Sequence, residues 1–93
     1  SSGAALVQYL PPFSSSSEHA HSLDETIIQI AGRSKIVLRD QKDDVHSTAY
    51  TLEPGSKVLI PAGRSHVVQS DEIGSITFPI KLTGRRGKTR GIK

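Results

Sequence analysis

The sequence predicts an all-β domain, a small barrel of antiparallel strands. Apolar residues alternate with polar ones over short segments, and no segment repeats its apolar residues at the helical spacing for more than one turn. Turn-forming clusters of Pro, Gly, Ser and Asp separate these segments at intervals of about 8–12 residues. A chain of 93 residues has room for one such core.

Eight strands are predicted, most of them rich in Ile, Val, Thr or Tyr. In chain order they span residues 6–10, 19–22, 25–31, 35–39, 46–52, 57–60, 66–69 and 75–82. Turn signals separate them, among them residues 32–34, 53–55, 61–63 and 71–74.

Alternation predicts which side chains face the interior of the barrel. The predicted interior residues of the later strands are Ile36, Leu38, Tyr50, Leu52, Val58, Ile60, His66, Val68, Ile76, Phe78, Ile80 and Leu82. In the strand at 25–31, Glu25, Ile27 and Gln29 share one face, while Ile28 and Ile30 occupy the other. Both faces of that strand are therefore expected to be covered.

Composition narrows the class of protein. The chain has no Cys, so disulfides and cysteine-based zinc sites are excluded. Its longest apolar runs are four or five residues, far below the roughly 20 that a membrane-spanning helix needs. We therefore expect a cytoplasmic protein without a membrane segment.

The net charge of +3 is unevenly distributed along the chain. Five of the twelve basic residues lie in residues 84–93, while residues 1–83 carry seven Lys and Arg against nine Asp and Glu. We expect a single barrel over 1–83, of which 1–18 form an N-terminal strand and a Ser-rich entrance loop. Residues 84–93 are expected to form a basic, flexible tail. The mildly acidic body argues against nucleic acid as a partner.

Two segments concentrate the residues that could ligate a metal. His19 and His21 are two apart, so on a strand their imidazoles leave the same face, and Glu25 keeps that parity. His66 follows a Pro-x-Gly turn at 61–63. Three nitrogen donors and one oxygen donor suit one divalent Mn, Fe, Ni, Cu or Zn ion and leave positions for water or substrate. They do not suit Ca or Mg, which prefer oxygen ligands.

These two segments resemble the paired motifs of the cupin superfamily, which are small jelly-roll barrels (double-stranded β-helices). The first motif has His-x-His, then Glu, then Gly, matched by His19, His21, Glu25 and Gly32; the second has Gly, Pro-x-Gly and His, matched by Gly55, Pro61, Gly63 and His66. The resemblance covers residues 13–70 and implies that His19, His21, Glu25 and His66 are metal ligands. The chain departs from the motifs at Phe13 and Ser70, two positions that are not ligands in the family.

Other residues are candidates for binding a substrate. Gln29, Tyr50 and Phe78 have the parity of pocket-lining residues, although inward residues of a small barrel often only fill it. Arg64 lies at the barrel mouth, where its guanidinium could hold a carboxylate or phosphate or could simply be solvated. His46 is expected to be a surface or capping histidine, with a proton-transfer role as the alternative.

Three classes of function remain open. The first is a metal-dependent enzyme, of dioxygenase, isomerase or lyase type, that acts on a small oxygenated molecule. The second is a non-catalytic barrel that binds or senses a small molecule, and the third is a partner-binding protein that acts through its basic tail. The fold alone does not choose between them. The enzyme is slightly favoured because a sensor or storage protein of this type normally carries further domains.

We also expect a homodimer, because Ile28, Ile30 and the apolar segment 6–10 need a partner surface.

Overall fold

The computed structural model describes residues 6–39 and 46–81, and their regular secondary structure consists of β-strands. The strands are β1 (Gln8–Leu10), β2 (Glu25–Arg39), β3 (Ser47–Leu52), β4 (Lys57–Ile60) and β5 (His66–Lys81). Every strand pairing among them is antiparallel. The all-β prediction is therefore confirmed. None of the described residues belongs to a helix of the length and apolar character that crosses a membrane.

The two long strands β2 and β5 pair along most of their length and run through both layers of the fold. The first half of β2 pairs with β4 and with the second half of β5, which also carries β1. We call this part the β4 layer. The second half of β2 pairs with β3 and with the first half of β5. We call this part the β3 layer.

The core lies between the two layers and is aliphatic. Ile27 and Ile60 from the β4 layer pack in one buried cluster with three residues of the β3 layer, and Val58 and Val68 pack against it. The three are Ile36, Leu38 and Leu52. Each is predicted from alternation to be interior, and each is at most 4% exposed. Alternation therefore identified the centre of the core correctly.

Both long strands contain an irregularity where they pass from one layer to the other. The register of β2 against β5 shifts between Gln29 and Ala31 and again between Gly32 and Ser34. Gly32 and Gly74 have positive φ angles of 72° and 75°, a conformation that glycine adopts without steric cost. The turns predicted at 32–34 and 71–74 are therefore wrong, because these residues form bulges inside continuous strands.

The bulges also reverse which face of β5 points inward. A shift of one residue moves every later side chain to the opposite face of a sheet. Beyond the bulge Ser75 and Thr77 are buried, whereas Ile76, Phe78 and Ile80 are only half-buried. The interior positions predicted for Ile76, Phe78 and Ile80 are therefore wrong. Leu82 lies outside the described residues.

Two smaller predictions also need correction. The strand predicted at 19–22 is reduced to one isolated bridge between His19 and His66. Tyr50 lies opposite the buried Ile36, but its side chain is 43% exposed because β3 is an edge strand of the sheet.

The two ends of the predicted domain differ in what the structure describes. The Ser-rich segment lies along β5, where the backbone N–H of Ser16 donates to the carbonyl of Val68 at 2.8 Å and Ser15 bridges Gln69. The basic tail at 84–93 lies outside the described residues.

An ion pair at the bulge gives the fold a predicted response to acid. Arg33 Nε donates to Asp71 Oδ2 at 2.6 Å, and this bond holds the pKa of the Asp71 carboxyl below its usual range. A lowered folded-state pKa stabilises the fold above the unfolded-state value of about 3.9, and that contribution is lost as pH falls through the folded-state pKa. We expect Asp71→Asn to lower the melting temperature at pH 7 and to leave it nearly unchanged near pH 2. Thermal melts across this pH range would test this, and a pH-independent difference would contradict it.

Candidate metal centre

Three histidines from two distant parts of the chain meet at one end of the barrel. His66 begins β5, and His19 lies beside it, held by two backbone hydrogen bonds between the two residues of 2.9 and 3.1 Å. His21 follows on the same segment, and its carbonyl accepts a hydrogen bond from the N–H of Gly63 at 2.8 Å. The Pro61–Gly63 turn is thereby fixed against the segment that carries the first two histidines.

The donor atoms of the three histidines lie within 4.8 Å of one another. Glu25, at the start of β2, brings a carboxylate into the same cluster. Its Oε1 lies 3.4 Å from Nε2 of His21 and 3.4 Å from Nε2 of His66. Ligands that lie about 2.1 Å from one ion in tetrahedral geometry are separated by about 3.4 Å. The two distances from Glu25 therefore match coordination of a single ion, and the three histidines form a group that could hold one.

The Nε2 atoms of His21 and His66 are buried and have no hydrogen-bond partner. A buried polar atom left unpaired is costly, and in a native site it calls for an unseen water or ion. The distance of 3.4 Å to Glu25 is a close electrostatic contact, but it exceeds the usual length of a hydrogen bond. A cation between these atoms would satisfy both nitrogens and the carboxylate together.

Backbone carbonyls fix the tautomers of two of the histidines. Nδ1 of His19 lies 2.8 Å from the carbonyl of Ser17, and Nδ1 of His66 lies 3.1 Å from that of Arg64. A carbonyl can only accept, so in each neutral ring Nδ1 carries the hydrogen and Nε2 keeps its lone pair. Such a contact from the second ring nitrogen to a carbonyl is typical of histidines that bind metals.

The pKa values of His21 and Glu25 are shifted in the directions that favour metal binding. Burial lowers the pKa of His21, although the charge of Glu25 opposes the shift, so the ring is neutral at pH 7. Burial by itself raises the pKa of Glu25, but the contact with His66 and the nearby charges outweigh it and hold the pKa below its usual value. A neutral imidazole and an ionised carboxylate are the forms that bind a metal.

A charged group supports the segment just before the first histidine. Glu18 accepts hydrogen bonds from Arg39 Nε at 2.5 Å and from Ser65 Oγ at 2.6 Å, and these bonds lower the pKa of Glu18 to about 2. Glu18 precedes His19 and Ser65 precedes His66, so the Glu18–Ser65 hydrogen bond links the two segments that carry these histidines. Asp24 has a similar role, since its Oδ1 accepts from the N–H of Ala62 at 2.8 Å.

A small cavity of about 60 Å³ opens beside the cluster. Its volume is far below the roughly 300–1,000 Å³ of pockets for drug-sized ligands, so it suits a molecule of only a few atoms. Besides the four candidate ligands, its walls include Gln8, Ser16, Ile27, Val68, Thr77, Pro79 and Lys81. A larger cavity of about 250 Å³ lies at the bulge, where two of its three charged residues, Arg33 and Asp71, are paired with each other and the third is Lys35.

The structure brings the four predicted ligands together but separates the four predicted substrate-binding residues. Gln29 is buried, and its amide nitrogen donates to the carbonyl of Ala31 and to Ser75 Oγ. Arg64 Nε donates to the carbonyl of Arg39 at 2.7 Å. Phe78 lies opposite Ile28, on the outer face, and Tyr50 is at the β3 edge. None of the four lines the 60 Å³ cavity.

The sequence did not single out several residues of the cavity, among them Thr77, Lys81 and Gln8. Thr77 and Lys81 line the cavity because the bulge turns their face of β5 inward. Gln8 reaches the cavity through the pairing of β1 with β5. If the alternation is restarted after Gly74, it predicts inward side chains for Thr77 and Lys81. Nothing in the sequence indicates that Gln8 reaches the cavity. His46 is exposed just before β3 and does not belong to the cluster.

The fold and the site together define a class of protein. The chain has the cupin fold, and at the end of its barrel it carries a histidine triad that could hold a metal ion. Neither a protein-family model nor a curated protein sequence matches it.

Solved structures with this fold match most of the chain. Oxalate decarboxylase of Bacillus subtilis, whose Mn(II) centres are known, superposes with a TM-score of 0.81 at 23% identity over 89% of this chain. The oxalate decarboxylase of Lactobacillus farciminis gives 0.79 at 21% over 89%. The cupin domain of Drosophila melanogaster CENP-C gives 0.77 at 12% over 84%. The match spans 22%, 24% and 59% of those chains, respectively.

Proposed function

We propose that this chain binds one divalent transition metal ion per barrel through His19, His21, Glu25 and His66. The observation that carries the proposal is the pair of buried, unpaired Nε2 atoms that face the Glu25 carboxylate. Their distances to Glu25, the tautomer of His66 and the lowered pKa of His21 all suit a cation, as described above. The donor set is compatible with Mn, Fe, Ni, Cu or Zn.

We further propose that the centre acts as an enzyme on a small oxygenated molecule. A metal ion held there would polarise a carboxylate or carbonyl, or hold dioxygen. Residues of the chain would set the charge of the centre and its access to water. Glu25 would offset part of the positive charge of the metal ion, and Ile27, Val68 and Pro79 give the cavity an apolar wall that limits water. The small cavity supports a substrate of a few heavy atoms, and the likeness to oxalate decarboxylases supports the same size class.

The test is elemental analysis of the purified protein followed by turnover assays with each metal. We expect about one transition metal per chain. Iron, copper or manganese would favour dioxygen-linked chemistry, which an oxygen electrode detects, whereas zinc or nickel would favour proton transfer or lysis. A protein that retained no transition metal after growth and reconstitution would contradict the metal proposal. Absence of turnover on a panel of small acids, sugars and phenols would favour the non-catalytic binder instead.

The substrate-binding roles of Gln29, Tyr50, Arg64 and Phe78 remain predictions. Gln29 has some support, because its Oε1 is buried without a partner while its amide nitrogen is fully engaged. That acceptor suits a ligand hydroxyl or a buried water. None of the four lines the small cavity, so each would need a ligand that extends beyond it.

We also propose that the barrel forms a homodimer through the outer face of the β4 layer. Apolar residues lie on all four strands of this face, beside Thr26 and Lys57, because the bulge directs the apolar side of β5 outward. Tyr9, Ile30 and Leu59 on it are 63%, 50% and 55% exposed. Its other apolar residues are Ile28, Ile76, Phe78 and Ile80.

A second copy of the chain is the occupant that this face fits. The exposed part of its side chains is on the order of several hundred Å², comparable with the roughly 800 Å² that each partner gives to a standard interface. The fully buried apolar core is limited to five residues of the described chain, so additional burial would add substantially to stability.

Sedimentation tests the dimer. We expect wild-type protein to sediment as a dimer at micromolar concentration, and the Ile28→Glu/Ile30→Glu variant as a 10.0 kDa monomer with a lower melting temperature. Thr51→Glu is the matched control, since Thr51 is exposed in the β3 layer. A wild-type monomer would contradict the proposal.

A further inference from the structure

Lys81 is an unusual residue for the wall of a metal centre. It pairs directly with Glu25 across β5 and β2, so both side chains leave the same inner face. Its Nζ lies 4.0 Å from Glu25 Oε2, and it lines the 60 Å³ cavity beside the histidines. An ammonium close to a proposed cation repels that cation, so a role in supporting the metal does not explain it.

The two carboxylate oxygens of Glu25 face different groups. Oε1 faces Nε2 of His21 and His66 at 3.4 Å, while Oε2 faces the ammonium. At 4.0 Å the Lys81–Glu25 contact is longer than a hydrogen bond, so Glu25 does not take up the donors of Nζ. The side chain of Lys81 is 44% exposed and that of Glu25 only 5%, which places the ammonium on the open side of the carboxylate.

The groups around the cavity would carry a net positive charge once a cation is bound. A divalent ion and one ammonium carry three positive charges and the carboxylate carries one negative charge, while histidines that bind a metal do so as neutral rings. The remaining walls include apolar Ile27, Val68 and Pro79, which screen charge poorly. An excess positive potential in a partly enclosed apolar cavity favours an anion.

We propose that Lys81 is the anion-binding residue of this centre, and that the ligand is a small carboxylate or similar oxyanion that is held between the ammonium and an open position on the metal. This inference rests on the proposed function, because the metal is the second anchor of the anion. The size of the cavity restricts the class further, to anions of a few heavy atoms. Thr77, which also lines the cavity, offers a hydroxyl to the same ligand.

The experiment compares formate with formamide, which have the same number of heavy atoms but differ in charge. Each is titrated into Co(II)-substituted protein, and the visible absorption of the cobalt site reports binding. We expect Lys81→Met to weaken formate binding by about 10- to 100-fold, the loss of one hydrogen bond between charged groups, and to leave formamide binding unchanged. Lys35→Met is the control, because Lys35 is exposed in the β3 layer, where it pairs with Thr51 and Gln69 away from the 60 Å³ cavity.

Metal content, measured on every variant, separates this inference from the proposed function. We expect Lys81→Met to keep a full complement of cobalt, because the substitution removes a repulsive charge. Full cobalt with unchanged formate affinity would overturn the role of Lys81 and leave the metal centre intact. Loss of cobalt from Lys81→Met would instead identify Lys81 as a structural support of Glu25. If wild-type protein bound no cobalt, both proposals would fall.

Discussion

Replacing His66 by Ala is expected to cause the largest loss of metal binding of any single substitution. His66 is 1% exposed, and its Nε2 faces Glu25 in the interior, so no solvent molecule substitutes easily for it. Loss of an outer partner of a ligand already costs about 10–100-fold in metal affinity, and we expect the loss of this ligand to cost more than about 100-fold. Equilibrium dialysis with the metal that the wild-type protein retains would measure this.

The same substitution should remove the thermal response to metal. Metal at 100 times its dissociation constant stabilises a folded protein by about 2.7 kcal/mol, which for a domain of this size raises the melting temperature by about 10–20 °C. We expect that rise in wild-type protein and in the control His46→Ala, but not in His66→Ala. His19→Ala, at a half-buried ligand, gives a second test if His66→Ala does not fold. Undiminished metal content in both ligand variants would refute the assignment.

The second large effect is expected at Gly32, where the two layers meet. A Cβ atom at this position would lie 2.2 Å from the carbonyl oxygen of Gly74, a distance that only backbone movement relieves. The positive φ angle adds about 1–2 kcal/mol for a residue with a side chain. We therefore expect Gly32→Ala to lower the free energy of unfolding by about 3 kcal/mol or more, a large share of the stability of a small domain.

Gly55 provides the matched control. It also has a positive φ, of 93°, but a Cβ there meets nothing within 4 Å. Gly55→Ala should therefore carry the conformational cost without the clash and lose about 1–2 kcal/mol. Urea denaturation of both variants would measure the difference in their free energies of unfolding. Equal losses of stability would mean that the backbone at Gly32 and Gly74 moves apart at little cost.

The sequence predicted the fold class and the centre of the core because both depend on local patterns. Alternation within one strand identifies buried side chains such as Ile36 and Leu38 without any knowledge of the partner strands. The histidine spacing was equally informative, because residues 19 and 21 must share a face. Their meeting with His66 followed from the resemblance and is present in the structure.

Alternation failed where the strand changes layer. A bulge is a pairing event between two strands, and the sequence of β5 does not record how far its register slips against β2. Assigning Phe78 to the interior therefore hid both the outward apolar face and the inward position of Lys81. The sequence also predicted a strand at 19–22 where the structure has one isolated bridge at His19. That bridge could not be predicted locally, because its partner His66 lies on a distant strand.

The pairing of β2 with β5 has a consequence for the order of events during synthesis. His19, His21 and Glu25 leave the ribosome well before His66, at about 5–20 residues per second. Until β5 has been made, the first three donors lack the contacts of His66 with His19 and Glu25 that complete the cluster. Closing such a distant contact is slow compared with forming a local hairpin. If the proposed metal centre is correct, a nascent chain that is still short of β5 would have an open, weak metal site, and tight binding would require the completed barrel.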